Sequence, residues 1–383
     1  MYLHSYINTA KNLLSEYNHS LPFAVWLKEY FKQNKKYGSK DRKHISNLCY
    51  CYFRLGGSLK NIDIEEQLLA GQFLCSENEN VFIDHLKPEW KENIKLPLEE
   101  KLKFLQIDPA GIFPFNDDLN ASIDSKDYNR SMLIQPDLFI RCRPGKKDTV
   151  ISKLNAANVT IYQNTPDCIG FTNAIKLDDV LEIDRDAVVQ DLSSQQVLKP
   201  LLAIVDQKKK INVWDCCAAS GGKSILVKDH FPNSYLTLSD IRDSIIRNLQ
   251  NRLKRAGIIN YKSFAANVAE AKKFITNPFD VIICDAPCSG SGTWSRTPEQ
   301  LISFQKEKIE YYSNLQKDIA GKAAAHLKSN GYFLYITCSV FTQENETVVK
   351  HLEQNTSLRK ISDEYIKGYD QKADTLYVAL LQS

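Results

Sequence analysis

The chain has 383 residues, room for two or three domains at about 150 residues each. With 43% apolar residues, 25% charged residues and a formal charge of +3, it has the make-up of an ordinary globular protein, which excludes disorder, collagen and coiled coil. No stretch approaches the ~18 uninterrupted apolar residues of a spanning helix, and MYLHSYINTAKNLLSEY lacks the pattern of a signal peptide, so no membrane partner and a cytoplasmic location are expected.

Residues 1–75 read as helical. Tyr6, Ala10, Leu13 and Leu14 recur at helical spacing, as do Val25, Trp26 and Tyr30, and then Ile45, Cys49, Tyr52 and Phe53 before Gly56-Gly57. Between these helices lie Lys32, Lys35, Lys36, Lys40, Arg42 and Lys43 beside Tyr37, which fits either a solvated helix face or a surface for phosphates. Residues 76–130 alternate acidic, proline-containing and short apolar pieces and read as a connector.

Residues 131–185 read as a small α+β domain: LFIRCRP as a strand, KDTVISKLNAANV as a helix, TIYQ and CIGFT as strands, KLDDVL as a short helix. Phe139, Arg141 and Arg143 alternate on the first strand, followed by Lys146 and Lys147, which fits either a second basic edge or plain solvent exposure. From residue 186 strands and helices alternate: INVWD, a helix from Gly222, YLTLS, the helix DSIIRNLQNRLKRAG, SFAA, FDVIICD, a helix around LQKDIAGKAAAHL, GYFLYIT and a last strand TLYVALL. This alternation predicts a Rossmann-like, doubly wound parallel sheet. One helix should bury Ile241, Ile245, Leu249 and Leu253, with Arg242, Arg247 and Arg252 off that stripe and Gly257 just past its end. Ligands of such sheets bind beyond the carboxyl ends of the strands, so the loops after Asp215, Ser239, Asp285 and Thr337 should converge.

The ten cysteines, several within apolar runs, fit a reduced compartment. None forms a C-x-x-C, so no metal is expected. VWDCCAASGGKS is a strand running through a small-residue turn into a helix, a geometry that lets backbone N–H groups approach a ligand. A phosphate-binding loop would need glycine where Cys217 stands, although Gly222-Lys223-Ser224 matches its end, and strict G-x-G-x-x-G is absent. A nucleoside-type cofactor over the turn is the third option, with Asp240 as the acid for its ribose hydroxyls; the other role open to Asp240 is capping the next helix. In DAPCSGSG, Cys288 follows a buried strand and its acid Asp285; in ITCS, Cys338 lies just past another strand end. A lone cysteine usually packs as a small hydrophobe, but two at one sheet edge suggest thiolate chemistry, with Lys223 near enough to favour ionisation.

The motifs CAASGGK, LSDI, DAPCSGSG and ITCS resemble, in that order, the RNA cytosine-C5 methyltransferases of the Sun/RsmB (Fmu) type. QDLSSQQV is similar to that family's QDEASQ helix, QPDLFIRCRP to the opening strand of its small RRM-like domain, and GSKDRKHISNLCYCYFRL to its NusB-like helical domain. The resemblance implies S-adenosyl-L-methionine held by Cys216, Ala218, Ala219, Ser220, Gly221, Gly222, Lys223, Asp240, Asn267 and Asp285. It further implies Cys338 as the nucleophile on cytosine C6, Asp285 and Lys223 on the same base, and Cys288 in the later elimination. RNA is the implied partner, small-subunit ribosomal RNA before transfer RNA, with the protein expected as a monomer; Trp294 and Arg296 fit either the site entrance or loop packing. The chain departs from the pattern at Ser220 (usually proline), at Asn267 (often an acid, here an uncharged acceptor) and at Asp374-Thr375-Leu376-Tyr377 (usually DGFF). A P-loop-like nucleotide hydrolase and a non-catalytic RNA-binding assembly factor are the readings from other classes.

Overall fold

The computed structural model describes residues 2–172 and 175–383. Helices α1 (Leu3–Glu16), α2 (Phe23–Gln33), α3 (Ser39–Arg54), α4 (Ile64–Cys75), α5 (Val81–Leu86), α6 (Leu98–Phe104) and α7 (Ser125–Ser131) come first. They are followed by β1 (Leu138–Cys142), α8 (Lys147–Ala156), β2 (Gln163–Asn164), β3 (Cys168–Phe171) and β4 (Ala187–Val189). After α9 (Lys199–Leu202) the chain alternates: β5 (Asn212–Asp215), α10 (Gly222–His230), β6 (Tyr235–Asp240), α11 (Asp243–Arg255), β7 (Tyr261–Ala265) and β8 (Phe279–Asp285). It ends with α12 (Gln300–Ser303), α13 (Glu307–Ala324), β9 (Leu327–Thr337), α14 (Glu346–Asn355), β10 (Arg359–Lys367) and β11 (Thr375–Gln382). Among the described residues no helix is long and apolar enough to cross a membrane.

Packing divides the chain into two units, one of residues 1–135 with 293–306, the other of 136–292 with 307–383. In the first, the apolar faces of α1 to α4 close around Ile7, Leu13, Phe23, Leu48, Phe53 and Leu68. Residues 76–130, expected as a connector, carry α5, α6 and α7 within this unit. Arg54, at the end of α3, is 3% exposed and donates to the carbonyls of Met132, Ile134 and Ser295 and to Gln135 Oε1, so the guanidinium ties the segment 293–306 to the helices. Trp294 lies in the same unit, buried among Phe113, Phe115 and Phe304. Of the two roles open to Trp294, packing is the one it fills, and the entrance reading is corrected.

The second unit holds both sheets. The smaller is antiparallel, ordered β2-β3-β1-β4. Its strand β4 lies beyond the expected domain end at residue 185, and the strand expected over TIYQ is only Gln163–Asn164. The expected basic edge on β1 is not one: Arg141, 4% exposed, and Arg143 both pair with the buried Asp229, and Arg141 also donates to Gln190. These guanidiniums spend their charge inside the fold.

The larger sheet is ordered β10-β11-β9-β8-β5-β6-β7. Strands β5 to β9 pair in parallel as expected, while β11 is antiparallel to both β9 and β10. The chain builds outward from β5 through β6 to β7, then returns to β8 on the other flank of β5. Strand order thus reverses between β5 and β8, where open α/β sheets form their ligand crevice. On α11 the buried stripe is Ile246, Leu249 and Leu253, while Ile241 precedes the helix and is exposed. Gly257, at φ +70°, follows the C-cap as expected.

Candidate active site

The β5–β8 crevice is built from strand ends. Asp215 closes β5, and the residues from Cys216 to Gly221 turn the chain into α10. The turn is fastened from β6, where Ser239 O accepts the Ala218 N–H at 2.9 Å and Asp240 Oδ2 accepts the Ala219 N–H at 3.2 Å. Ala219 and Gly221 have positive φ (44° and 85°), and Gly222 is open, with nothing within 4 Å of the place a Cβ would take. Ser220 is gripped through its carbonyl and hydroxyl by Arg252 at 3.1 and 2.9 Å. Arg252, with Arg255, is in turn held by Asp184, which is fully buried.

Asp240 is nearly buried, and its carboxylate accepts the Arg242 backbone N–H at 2.9 Å and the Arg242 guanidinium at 2.9 and 3.0 Å. Burial acts to raise its pKa, but these donors outweigh burial and hold it below the usual carboxylate value. Lys223, on the first turn of α10, reaches across to Asp285 at the end of β8, Nζ to Oδ2 at 2.6 Å. Burial acts against its positive charge, and the Asp285 carboxylate more than offsets it, so Lys223 stays protonated with a raised pKa. Asn267, beyond the end of β7, is exposed, and its Oδ1 caps the short helix that follows by accepting the Ala269 N–H.

The loops after β8 and β9 bring the two singled-out cysteines together. Cys288 Sγ accepts the backbone N–H of Cys338 at 3.3 Å, and both residues are partly exposed. The neighbouring Cys338 thiol, together with burial, pushes the Cys288 thiol well above its ordinary pKa. The Gly292 N–H donates to Cys338 O at 2.8 Å, and a Cβ at Gly292 would meet Thr375 O at 1.9 Å, so this close crossing needs glycine. The loops expected to converge therefore do so.

Sequence reasoning missed Glu344, which is fully buried and fastens the two cysteine loops to each other. Its carboxylate accepts the Ser289 N–H at 2.9 Å, Ser339 Oγ at 2.8 Å and Gln316 Nε2 at 2.8 Å, while Gln316 also donates to Pro287 O. An acid six residues after Cys338, in a stretch otherwise rich in Ser, Thr and Asn, was the available signal. A second grouping was also unforeseen: the sulfurs of Cys216, Cys217 and Cys284 lie within 4.8 Å of one another.

Residues 201–377 match the family described as 16S rRNA methyltransferase RsmB/F. Among curated relatives, Ribosomal RNA small subunit methyltransferase B of Xylella fastidiosa is 27% identical over 213 residues, covering 55% of this chain and 48% of the relative. The protein of that name from Escherichia coli is 30% identical over 169 residues, covering 44% and 38%. The mouse 28S rRNA (cytosine-C(5))-methyltransferase is 27% identical over 175 residues, covering 44% and 22%. The matched segments thus span half or less of these relatives. Among solved structures, PH0851 superposes with a TM-score of 0.72 at 18% identity, covering 100% of this chain and 98% of its own. NSun6 from Pyrococcus horikoshii with SFG gives 0.59 at 13% identity, covering 70% and 96%. At these identities the likeness is one of fold.

Proposed function

We propose, from the match of residues 201–377 to the family described as 16S rRNA methyltransferase RsmB/F, that this chain methylates carbon 5 of a cytosine in RNA, with small-subunit ribosomal RNA the favoured substrate. The observation that carries the reading is the meeting of Cys288 and Cys338, Sγ to N–H at 3.3 Å, in the sheet whose crevice also holds the Lys223–Asp285 pair. A phosphate-cleaving site has no use for two adjacent thiols, and Cys217 occupies the position where its loop needs glycine.

The residues fit S-adenosylmethionine. The turn of Cys216, Ala218, Ala219, Ser220 and Gly221, fastened by its own N–H groups, leads into an uncrowded helix start at Gly222, and Asp240 supplies acceptors at the next strand end. The Arg242 side chain that engages Asp240 is 59% exposed and free to yield its place to ribose hydroxyls. Asn267, occupied as a cap, keeps its amide group for a hydrogen bond to the adenine side. When bound, the donor supplies a methyl group on a positively charged sulfur.

Carbon 5 of cytosine is a weak nucleophile until something adds to carbon 6. Cys338 makes that bond through its sulfur, its thiol proton passing to N3 as the ring electrons move toward C5. Asp285, with Oδ2 held by Lys223, presents Oδ1 to N3 and stabilises the protonated ring, an electrostatic task suited to a preorganised acid. After methylation the proton left on C5 departs to solvent with Cys288 assisting that elimination; the C5–C6 double bond re-forms as the Cys338–C6 bond breaks, and the released sulfur takes back the N3 proton. The exposed lysines of the α2–α3 turn grip phosphates, while a looped target lowers the few kcal/mol needed to turn a base out of its stack.

The test is methyl transfer from labelled S-adenosylmethionine to purified small-subunit ribosomal RNA and to transfer RNA, each followed by bisulfite sequencing. A protected cytosine in ribosomal RNA is expected. Protection confined to transfer RNA would move the substrate, and no protection in either would leave the assembly-factor reading.

A further inference from the structure

We infer that Cys216, Cys217 and Cys284 form a three-thiol capture site for trivalent arsenic, presented as arsenous acid, separate from the Cys288–Cys338 pair. Cys216 and Cys284 extend the paired ends of β5 and β8, where Asp215 is in register with Ile283 and the Cys216 N–H donates to Ile283 O at 3.0 Å. Cys217 follows at the start of the turn, and the three sulfurs lie within 4.8 Å of one another, a spread that small side-chain rotations close onto one atom. All three thiols are free; Cys216 and Cys284 are buried, and Cys217 is partly exposed, which gives the ligand its entry.

The surroundings select the ligand. Cys216 and Cys284 sit in an apolar cluster with Trp214, Phe264, Val268 and Ala271, against which Cys217 packs. Three thiolates around a divalent ion would leave a net negative charge in that cluster, beside Asp215 and Asp285, at a heavy desolvation cost. Structural zinc also wants four ligands, and among the described residues no fourth His, Cys, Asp or Glu joins the group. Trivalent arsenic bonded to three sulfurs carries no charge. Each of three As–O bonds is exchanged for an As–S bond, each departing hydroxyl leaves as water with a thiol proton, and arsenic stays trivalent, so no oxidant or reductant is needed. Cys217 attacks first, because it is the one of the three thiols that is partly exposed.

The full-length protein, reduced and freed of reductant, is incubated with one equivalent of sodium arsenite and weighed intact by native mass spectrometry. The expected adduct gains one arsenic atom and sheds three hydrogens, and maleimide labels three fewer thiols than in the untreated protein. Cys284→Val should cut arsenite affinity at least tenfold, whereas the double variant Cys288→Ala/Cys338→Ala should form the same adduct as the wild type. A thermal melt of Cys284→Val checks its fold, and Cys217→Ser repeats the test at the partly exposed position if the core change does not fold. The inference is overturned by no adduct at equimolar arsenite, by an adduct that keeps a hydroxyl on arsenic and so uses only two thiols, or by absence of the adduct in the Cys288/Cys338 double variant.

Discussion

Asp215 and Asp285 end neighbouring parallel strands, yet their surroundings give them opposite chemistry. Asp285 is paired with Lys223. Asp215 is 1% exposed; its Oδ2 accepts the Ser224 hydroxyl at 2.6 Å, its Oδ1 has no partner, and burial pushes its pKa up to about 7. Because the folded-state value lies above the unfolded one, folding binds the proton more tightly. The contribution is complete below about pH 4 and disappears as pH rises toward 7, a change of at most about 4 kcal/mol. Buried Glu344, whose pKa is also raised by burial, acts in the same direction. Urea denaturation at pH 5 and pH 8 should therefore show a smaller loss of stability in Asp215→Asn than in the wild type. Equal losses in the two proteins would mean that Asp215 does not titrate in this range.

The turn between β5 and α10 depends on support from α11. Where the resembled family has proline, this chain has Ser220, and Arg252 fixes it by two hydrogen bonds while anchored on buried Asp184. A ring that stiffens the backbone is replaced by a hydrogen-bonded arm. Ser220→Ala, which removes one of those bonds, should weaken S-adenosylmethionine binding several-fold in calorimetry with little change in melting temperature. Arg252→Ala should weaken it further and lower the melting temperature, because Asp184 then keeps only part of its charge pairing. Unchanged cofactor affinity in both variants would show that the arm does not support the turn. At this scale the alternation that fixed β5 through β9 was legible because each element carries its own period. Strand β10 was not: Arg359–Lys367 is a mostly exposed edge strand, and its polar sequence shows no buried face. Arg141 and Arg143 misled for a related reason. Their alternation marks a strand correctly, but it does not reveal that Asp229, more than 80 positions away, neutralises them.

For the whole molecule, the motif residues were readable because each motif is continuous in sequence, while the groups that brace them were not. Glu344 reaches Ser289 across 55 positions, and Arg54 reaches Ser295 across 241. The basic turn between α2 and α3 was legible, and Lys32, Lys35, Lys36, Lys40 and Lys43 are exposed there. Reversing the charge of Lys35, Lys36, Lys40 and Lys43 should weaken RNA binding and flatten its dependence on salt, by about 0.7–0.9 in log–log slope for each phosphate no longer neutralised, without altering cofactor affinity. An unchanged salt slope would make that turn a plain solvated face. The central claim, that Cys338 bonds the base and Cys288 releases it, is tested most directly by denaturing electrophoresis of enzyme incubated with substrate RNA and S-adenosylmethionine. A covalent protein–RNA band is expected to accumulate in Cys288→Ala and none to form in Cys338→Ala. A band that accumulates in Cys338→Ala, and is missing from Cys288→Ala, would contradict it.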